Sequence, residues 1–514
     1  MLLRRAFYFK GMVKDAAKIP MVEQCQGGKV ARRSKSANRN NVDTGSITKI
    51  SVRGYKSIAE EFSMEIRPLT ILSGANSSGK SSALQPLLLL KQTLETDYDP
   101  GSLLINGPNV QFTSAESQLL SKLGNGERAE TFCVELEIDG DQCLAEVFGS
   151  GSSKGVELVE MTYEAGNEKY TLRPEMSPEE VTTLVPRRLE EFREILMDTL
   201  IDDEDEEQNG NDAEEGQEFE WVVRQSKCFL NFGLRFISND EKRTLPETLP
   251  LPGATPGRSF EGYIRDIIHV PGLRGNPSRT YKTTSVGPQF PGTFNNYVAS
   301  IVNFWGSNEP HLLDKLGQYL ETLGLTWKAE ANQLDDVQVE LRVGRLPHEA
   351  DNGASDMVSI ADVGFGVSQT LPVLVALLAA KPGQLVCLEQ PEIHLHPRAQ
   401  AAMAELLAEA SKRGVRVVVE THSDLLLLSL QTLIAEGDLN PEKVKLHWFS
   451  RTQDGKTRVS SHDLDKQGSF GNWPERYRQM LWIGLHDHAA TFSSFPSTNS
   501  PFPNFAPALT NATK

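Results

Sequence analysis

Residues with chemistry to offer concentrate first in Gly74-Ala75-Asn76-Ser77-Ser78-Gly79-Lys80-Ser81, which fits the spacing G-x-x-x-x-G-K-S/T. Gly74 and Gly79 let the backbone turn tightly enough to aim successive N–H groups at phosphate oxygens. The apolar run Leu69-Thr70-Ile71-Leu72 before the loop suits a buried strand, and the stretch from Ser82 to Leu90 can open a helix. The N-terminus of that helix would add a partial positive charge. In such a loop Lys80 reaches the β- and γ-phosphates and the Ser81 hydroxyl ligates Mg²⁺. The candidate nucleotide contacts are therefore Gly74, Asn76, Ser77, Ser78, Gly79, Lys80, Ser81 and Ser82.

A second group sits far along the chain. The apolar run Leu385-Val386-Cys387-Leu388 ends in Glu389-Gln390-Pro391-Glu392. Acidic residues at the carboxyl end of a parallel strand are where a Mg²⁺-nucleotide sits. Glu389 is placed to hold Mg²⁺ through water, and the next polar positions to orient an attacking water. Further on, a second apolar strand ends in Glu420-Thr421-His422-Ser423-Asp424, which puts His422 where a γ-phosphate can be sensed. A lone His elsewhere is usually a satisfied structural residue; the second buried strand before it is what favours the functional reading here.

These groups need a scaffold, and the chain is long enough to supply one. Its 514 residues allow about two to four domains. The five cysteines are odd in number and show no C-x-x-C spacing, so neither a disulfide framework nor a zinc site is indicated, and a reducing cytoplasm is expected. No run approaches eighteen apolar residues, so no membrane partner is expected. The net charge of −17 is uneven. Residues 202–220 hold eleven carboxylates without a Lys or Arg and read as a solvated, disordered loop. Residues 1–40 hold ten Lys and Arg against Asp15 and Glu23. Three readings stay open for this basic extension: a nucleic-acid contact, a transit peptide, or an over-extended start ahead of Met12 or Met21.

Periodicity predicts strands at 47–52 and 62–66, antiparallel hairpins between 131 and 172, helices at 177–200, 294–305 and 311–323, and a strand at 337–343. The last third reads as helix, buried strand, amphipathic helix and buried strand at 369–380, 384–388, 398–412 and 415–419. That is the pattern of a parallel sheet covered on both faces. The expected fold class is α/β with a mixed or parallel sheet, an antiparallel β subdomain and a helical insertion; the resemblance of its motifs to those of the ABC ATPases implies a P-loop NTPase of ABC-ATPase type. The expected domains are a disordered extension (1–45), an N-terminal ATPase half (46–175), an insertion (176–290), a C-terminal half (291–450), a small element of underived role (451–490) and a disordered tail (491–514).

The order of phosphate loop, large insertion, glycine-containing turn, Glu389-Gln390-Pro391-Glu392-Ile393-His394-Leu395-His396-Pro397 and Glu420-Thr421-His422-Ser423 resembles the ABC/SMC-like ATPases. Within them it is most similar to the OLD (overcoming lysogenization defect) and RecF-like AAA ATPases. The matching segments are 45–95 and 355–450. The resemblance implies ATP and Mg²⁺ as cofactors, Gly74 to Ser81 as Walker A, Glu389 as the Walker B metal carboxylate, His394 to Pro397 as the D-loop region and His422 as the switch histidine. Asp362-Val363-Gly364-Phe365-Gly366 takes the place of the ABC signature. In that family two subunits sandwich ATP, so a homodimer is implied, with Gly364 and Gly366 of one copy facing the Lys80 loop of the other. DNA or an effector protein would receive the motion, in phage defence or DNA maintenance.

The pattern has departures. No Ser directly precedes Gly364, leaving Ser368 as a substitute. The residue after the metal carboxylate is Gln390, whose neutral amide orients water without taking its proton. Either Glu392 acts as the base, or turnover is slow and the chain is an ATP-gated clamp. Gln92 and Gln111 are both candidates for the Q-loop, and Arg274 and Arg279 in the Gly/Pro-rich stretch 270–281 either reach phosphates or pin the loop to a carboxylate. Competing readings are a non-hydrolysing nucleotide sensor or scaffold and an OLD-type nuclease using Glu436, Asp463 and Asp465. A small-molecule kinase fits the paired Glu389 and His422 strands poorly.

Overall fold

The computed structural model describes residues 45–122, 128–151, 155–202, 218–237, 248–250, 257–348 and 356–470. The chain divides into two units after Gly468, and all helices and strands of the described residues lie in the first. Along the chain run β1 (Ile47–Arg53), β2 (Phe62–Glu65), β3 (Leu69–Gly74), α1 (Lys80–Leu94), β4 (Thr131–Ile138), β5 (Gln142–Ser150), β6 (Val156–Ala165) and β7 (Glu168–Leu172). Then come α2 (Pro178–Leu184), α3 (Arg187–Asp202), β8 (Glu218–Ser226), β9 (Phe229–Ile237), β10 (Thr248–Pro250), α4 (Arg258–Arg265), β11 (Ile268–Val270) and β12 (Tyr281–Lys282). The remainder is α5 (Val298–Asn308), α6 (Pro310–Thr322), β13 (Ala329–Gln333), β14 (Gln338–Gly344), β15 (Met357–Ser359), α7 (Phe365–Ala379), β16 (Leu385–Glu389), α8 (Pro397–Lys412), β17 (Arg416–Glu420), α9 (Asp424–Ala435), β18 (Val444–Arg451) and β19 (Thr457–His462).

The central sheet has the order β11-β16-β17-β3-β18-β19, parallel except for β19. Its inner strands are nearly continuous apolar runs because helices or a second sheet cover both faces. A six-stranded antiparallel sheet, β2-β1-β4-β5-β6-β7, alternates instead. In β4, Phe132, Val134, Leu136 and Ile138 turn inward, while Thr131, Cys133, Glu135 and Glu137 are only half-buried. Its inward face shares one core with α1 and with Cys387, Val418 and Phe449 of the central sheet.

That sharing explains the composition of α1. The helix is buried on nearly every side, and Leu84, Leu87, Leu88, Leu89, Leu90 and Leu94 all lie in the core. Each such side chain contributes about 1.5–3 kcal/mol. Its buried Lys91 pairs with Glu95 and donates to the carbonyls of Arg265 and Phe290, so the charge is not left alone in the core.

The content of one expected segment and two expected boundaries differ. The segment read as a helical insertion also contains the three-stranded sheet β10-β9-β8. Its expected end at 290 lies beyond β11, which already belongs to the central sheet, because the apolar Ile268 to Val270 pair with β16. The boundary expected at 450 falls inside β18, which pairs along the whole of β3 before returning through β19. Of the acidic run, 203–217 lies outside the described residues, and Glu218 to Glu220 open β8. The expected extension up to residue 44 and the residues from 471 onward also lie outside them. No described helix is long and apolar enough to cross a membrane. Cys133, Cys143, Cys228 and Cys387 are free thiols.

Candidate nucleotide site

The phosphate loop leaves the carboxyl end of β3 and runs straight into α1. Both of its glycines are required twice over. Gly74 has φ +140°, and a Cβ there would lie 2.0 Å from the Phe449 carbonyl oxygen on β18. Gly79 has φ +102°, and a Cβ there would lie 2.2 Å from Thr457 Oγ1 on β19. Thr457 Oγ1 lies 2.8 Å from the Ser78 carbonyl oxygen and 2.8 Å from Ser57 Oγ. A hydroxyl has one proton and a carbonyl only accepts, so Thr457 donates to the Ser78 carbonyl while the Ser57 hydroxyl donates to Thr457. The β18–β19 hairpin thus props the loop from behind.

Ser77 occupies the left-handed region at φ 58°, a conformation non-glycine residues hold only where surroundings enforce it. Asn76 and Ser77 are exposed, Ser82 is half-buried, and the buried Ser78 hydroxyl has no partner. Lys80 is buried and its Nζ donates to the carbonyls of Gly74 (3.2 Å) and Ala75 (2.8 Å). Burial pulls its pKa down, against the charges of Glu420 and Glu392. The amine is therefore curled over the loop it belongs to.

Opposite stand three carboxylates. In the parallel register Glu389 lies beside Glu420, and Glu420 beside Leu72, so the ends of β16, β17 and β3 form one rim. Ser81 Oγ donates to Glu420 Oε2 at 2.8 Å. Burial pushes the Glu420 pKa up; Glu389 and Glu392 add to this, while the Ser81 bond and Lys80 oppose it. Glu389 goes the other way. Burial would raise it, but His269, the Gly272 N–H and the Arg274 charge together hold it below the usual carboxylate value. Its Oε1 is 3.3 Å from His269 Nε2, and its Oε2 accepts from Gly272 N at 2.9 Å.

Gln390 is left-handed at φ 46°, with its N–H donated to the Glu420 carbonyl at 2.7 Å. Glu392 is buried; Oε1 accepts the His422 N–H at 2.9 Å and Oε2 has no partner. The His422 ring is exposed on the rim. Desolvation and then the Lys80 charge hold its pKa below the ordinary value, against Glu392 and the Gly74 backbone. Lys80, Ser81, Glu389, Gln390, Glu392 and His422 are thus gathered at the carboxyl ends of β3, β16 and β17.

Gly364 and Gly366 lie elsewhere in this network. Gly364 caps α7 with no side-chain bond, and a Cβ on it would meet open space. A Cβ on Gly366 would lie 3.6 Å from the His394 carbonyl, and the exposed Phe365 ring sits 6.0 Å from that of His394. The glycine turn therefore packs on the 393–396 turn and leaves its helix N-terminus to solvent. Ser368 Oγ donates to the Phe365 carbonyl, within its own helix.

Several neighbours carry no sequence motif. His269, buried at the middle of β11, connects Glu389 to Asn109 Oδ1, 3.0 Å from its Nδ1. The loop bearing Asn109 is pinned by Gln92, whose buried amide bonds the carbonyls of Leu104 and Val110 and the N–H groups of Asn109 and Val110. Of the two Q-loop candidates, Gln92 is structural in this way and Gln111 is exposed. A His inside the apolar run Ile267 to Val270 was the only local signal for His269.

Comparison with known proteins agrees with the geometry. Residues 46–232, with the phosphate loop, match the family model "AAA ATPase domain". Residues 277–429, with the Gly364 turn, Glu389 and His422, match "AAA domain, putative AbiEii toxin, Type IV TA system". A search of curated proteins returns no match. Among solved structures, an SMC head bound to the C-winged helix domain of ScpA is 12% identical, covering 82% of this chain and 98% of that one, with TM-score 0.43. A Pyrococcus furiosus Smc head domain with an extended coiled coil, bound to the C-terminal domain of ScpA, is 13% identical, covering 86% and 100%, with TM-score 0.41. The SMC head domain from Thermotoga maritima is 12% identical, covering 81% and 98%, with TM-score 0.36. Each of the two matched segments is similar to an AAA ATPase domain and carries one half of the site, the phosphate loop in the first and Glu389 with His422 in the second.

Proposed function

We propose that the chain binds Mg²⁺-ATP at the rim of β3, β17 and β16 and hydrolyses it slowly, with two copies closing on the nucleotide. The observation that carries this reading is the Ser81–Glu420 bond at 2.8 Å beside Glu389 and Lys80. A hydroxyl, two strand-end carboxylates and an amine gathered at one rim support a metal-bound triphosphate there. Among the described residues no three His, Cys, Asp or Glu side chains are arranged to hold a metal by themselves. That suits Mg²⁺, which is bound by one or two protein oxygens plus phosphates and water. Ser81 and Glu389 would hold it, and it would neutralise charge on the β- and γ-phosphates. Gly74, Asn76, Ser77, Ser78, Gly79 and Ser82 would wrap the phosphates, Lys80 would leave its carbonyls for them, and His422 would contact the γ-phosphate.

The open N-terminus at Gly364 and Gly366 supports closure on a second copy, because unsatisfied N–H groups at a helix start bind an anion. The partner receiving the motion is an effector protein or DNA, in the manner of the OLD and RecF-like group, with defence or DNA maintenance as the setting and the cytoplasm as the compartment. One observation favours a second reading, a nucleotide sensor without turnover: Gln390 lacks a base, and Glu392 already accepts the His422 N–H. The nuclease reading is weakened. Asp463 is held by Arg67 and Lys445, and Glu436 caps the end of α9.

Sedimentation and phosphate release with and without ATP and Mg²⁺ test this. Lys80→Ala should weaken ATP binding about 10- to 100-fold, the loss of one or more charged hydrogen bonds. Closure with no phosphate release selects the sensor; neither binding nor closure overturns both readings. Plasmid nicking in Mg²⁺ would restore the nuclease.

A further inference from the structure

We infer that residues 271–281 form a two-armed strut tying Glu389 to the Gly364 turn, with Arg274 and Arg279 as its positioning residues. This rests on the clamp reading above and supplies what that reading lacks, a short physical link between the two phosphate-facing halves of one chain.

The first arm grips the end of β16. Gly272 donates its N–H to the Glu389 carboxylate, and Arg274 Nη2 donates to the carbonyls of Glu389 (2.7 Å) and Gln390 (3.3 Å). Gln390 is the left-handed residue of that turn, and its carbonyl accepts from both Arg274 and the Ile393 N–H. The second arm grips the glycine turn. Gln369, buried in α7, donates to the Gly275 carbonyl at 2.7 Å. Arg279 clasps Asp362 through two parallel bonds of 3.0 and 2.7 Å, two residues before Gly364.

What orients the loop is not hydrophobic burial. Leu273, between the two gripping residues, is 92% exposed, while the charged Arg274 is turned inward. Burial pulls the Arg274 pKa down to about 10, against the pull of Glu392 and Glu389, and its Nε and Nη1 have no partner. Holding such a group is costly, and a loop kept only to connect β11 to β12 would shed it. By covalent path the Gly364 turn reaches Glu389 only through the length of α7 and the connection to β16. Through the strut, a copy docking on Gly364 loads Asp362, Arg279, Arg274 and then the Glu389–Gln390 peptide.

The test is charge reversal in the full chain: Arg279→Glu, Asp362→Arg and the two together, neither residue being among those assigned above to the phosphates or Mg²⁺. Each single change should lower kcat about tenfold while apparent ATP affinity stays within about twofold, and the exchanged pair should restore kcat. Hydrogen exchange at the Gln390 and Ile393 amides, which bond Glu420 and Gln390 carbonyls, should quicken in both singles and recover in the pair. Singles that keep wild-type kcat and exchange, or a pair no better than the singles, overturn the strut. A wild-type chain that fails to bind ATP overturns the clamp reading alone; amide exchange then decides the strut by itself.

Discussion

Ser81 and Glu420 are 339 positions apart, yet their side chains are bonded at 2.8 Å, joining the phosphate loop to the strand that separates it from Glu389. The bond follows from strand order. With β17 between β3 and β16, the last residue of β17 must lie between the loop and Glu389, and here that residue is acidic.

Glu420→Gln should therefore separate stability from activity. The folded pKa lies above the ordinary value, so ionisation costs stability: nothing below the unfolded pKa, and increasingly as pH rises through the folded one. The variant should gain thermal stability at pH 8 and little at pH 4, while Mg²⁺-dependent turnover falls. Melting curves at the two pH values check the first part; an equal gain at both would contradict it.

Gln390→Glu places a base directly after Glu389, the proposed metal carboxylate. If proton abstraction limits turnover, kcat should rise by about 100-fold, the lower end of general-base effects. An unchanged kcat, lost on Glu392→Gln, would assign the base to Glu392 instead.

Gly79→Ala should cost roughly 1–3 kcal/mol from the left-handed backbone alone, and more through the Thr457 contact. Thr457→Ala should by itself cost about 0.5–1.5 kcal/mol for its hydrogen bond. In the double variant the two costs should sum to less than the singles, because the clash is removed with the hydroxyl. Urea titrations of the three chains read this directly.

His447 is buried in β18 between Ser461 Oγ and the Glu65 carbonyl, and burial pushes its pKa down to about 4. The unfolded chain binds this proton first, so stability should be full above about pH 6.5 and fall as pH drops towards 4. At about 1.4 kcal/mol per pH unit the total is about 3 kcal/mol. His447→Gln should flatten that slope; an unaltered acid limb would show that other groups set it.

Much of the scaffold was readable because its signals are local. Apolar runs marked β3, β16 and β17, and alternation marked β1, β4 and β5. The strands β8, β9 and β19 were missed: the first two follow a charge-rich run that reads as solvated loop, and β19 is an exposed edge strand whose polar residues carry no burial pattern. His269, Asn109 and Glu420 acquire their places near Glu389 and Ser81 only when strands far apart in sequence are paired.

The eight residues from Gly74 to Ser81 determine a phosphate-binding loop on their own, since that chemistry is done by consecutive backbone N–H groups and needs only the right torsions in the right order. Which carboxylates face it, what props it from behind and what links Glu389 to the Gly364 turn were decided by tertiary structure. Those contacts depend on strand order and register, and no stretch of neighbouring residues encodes either.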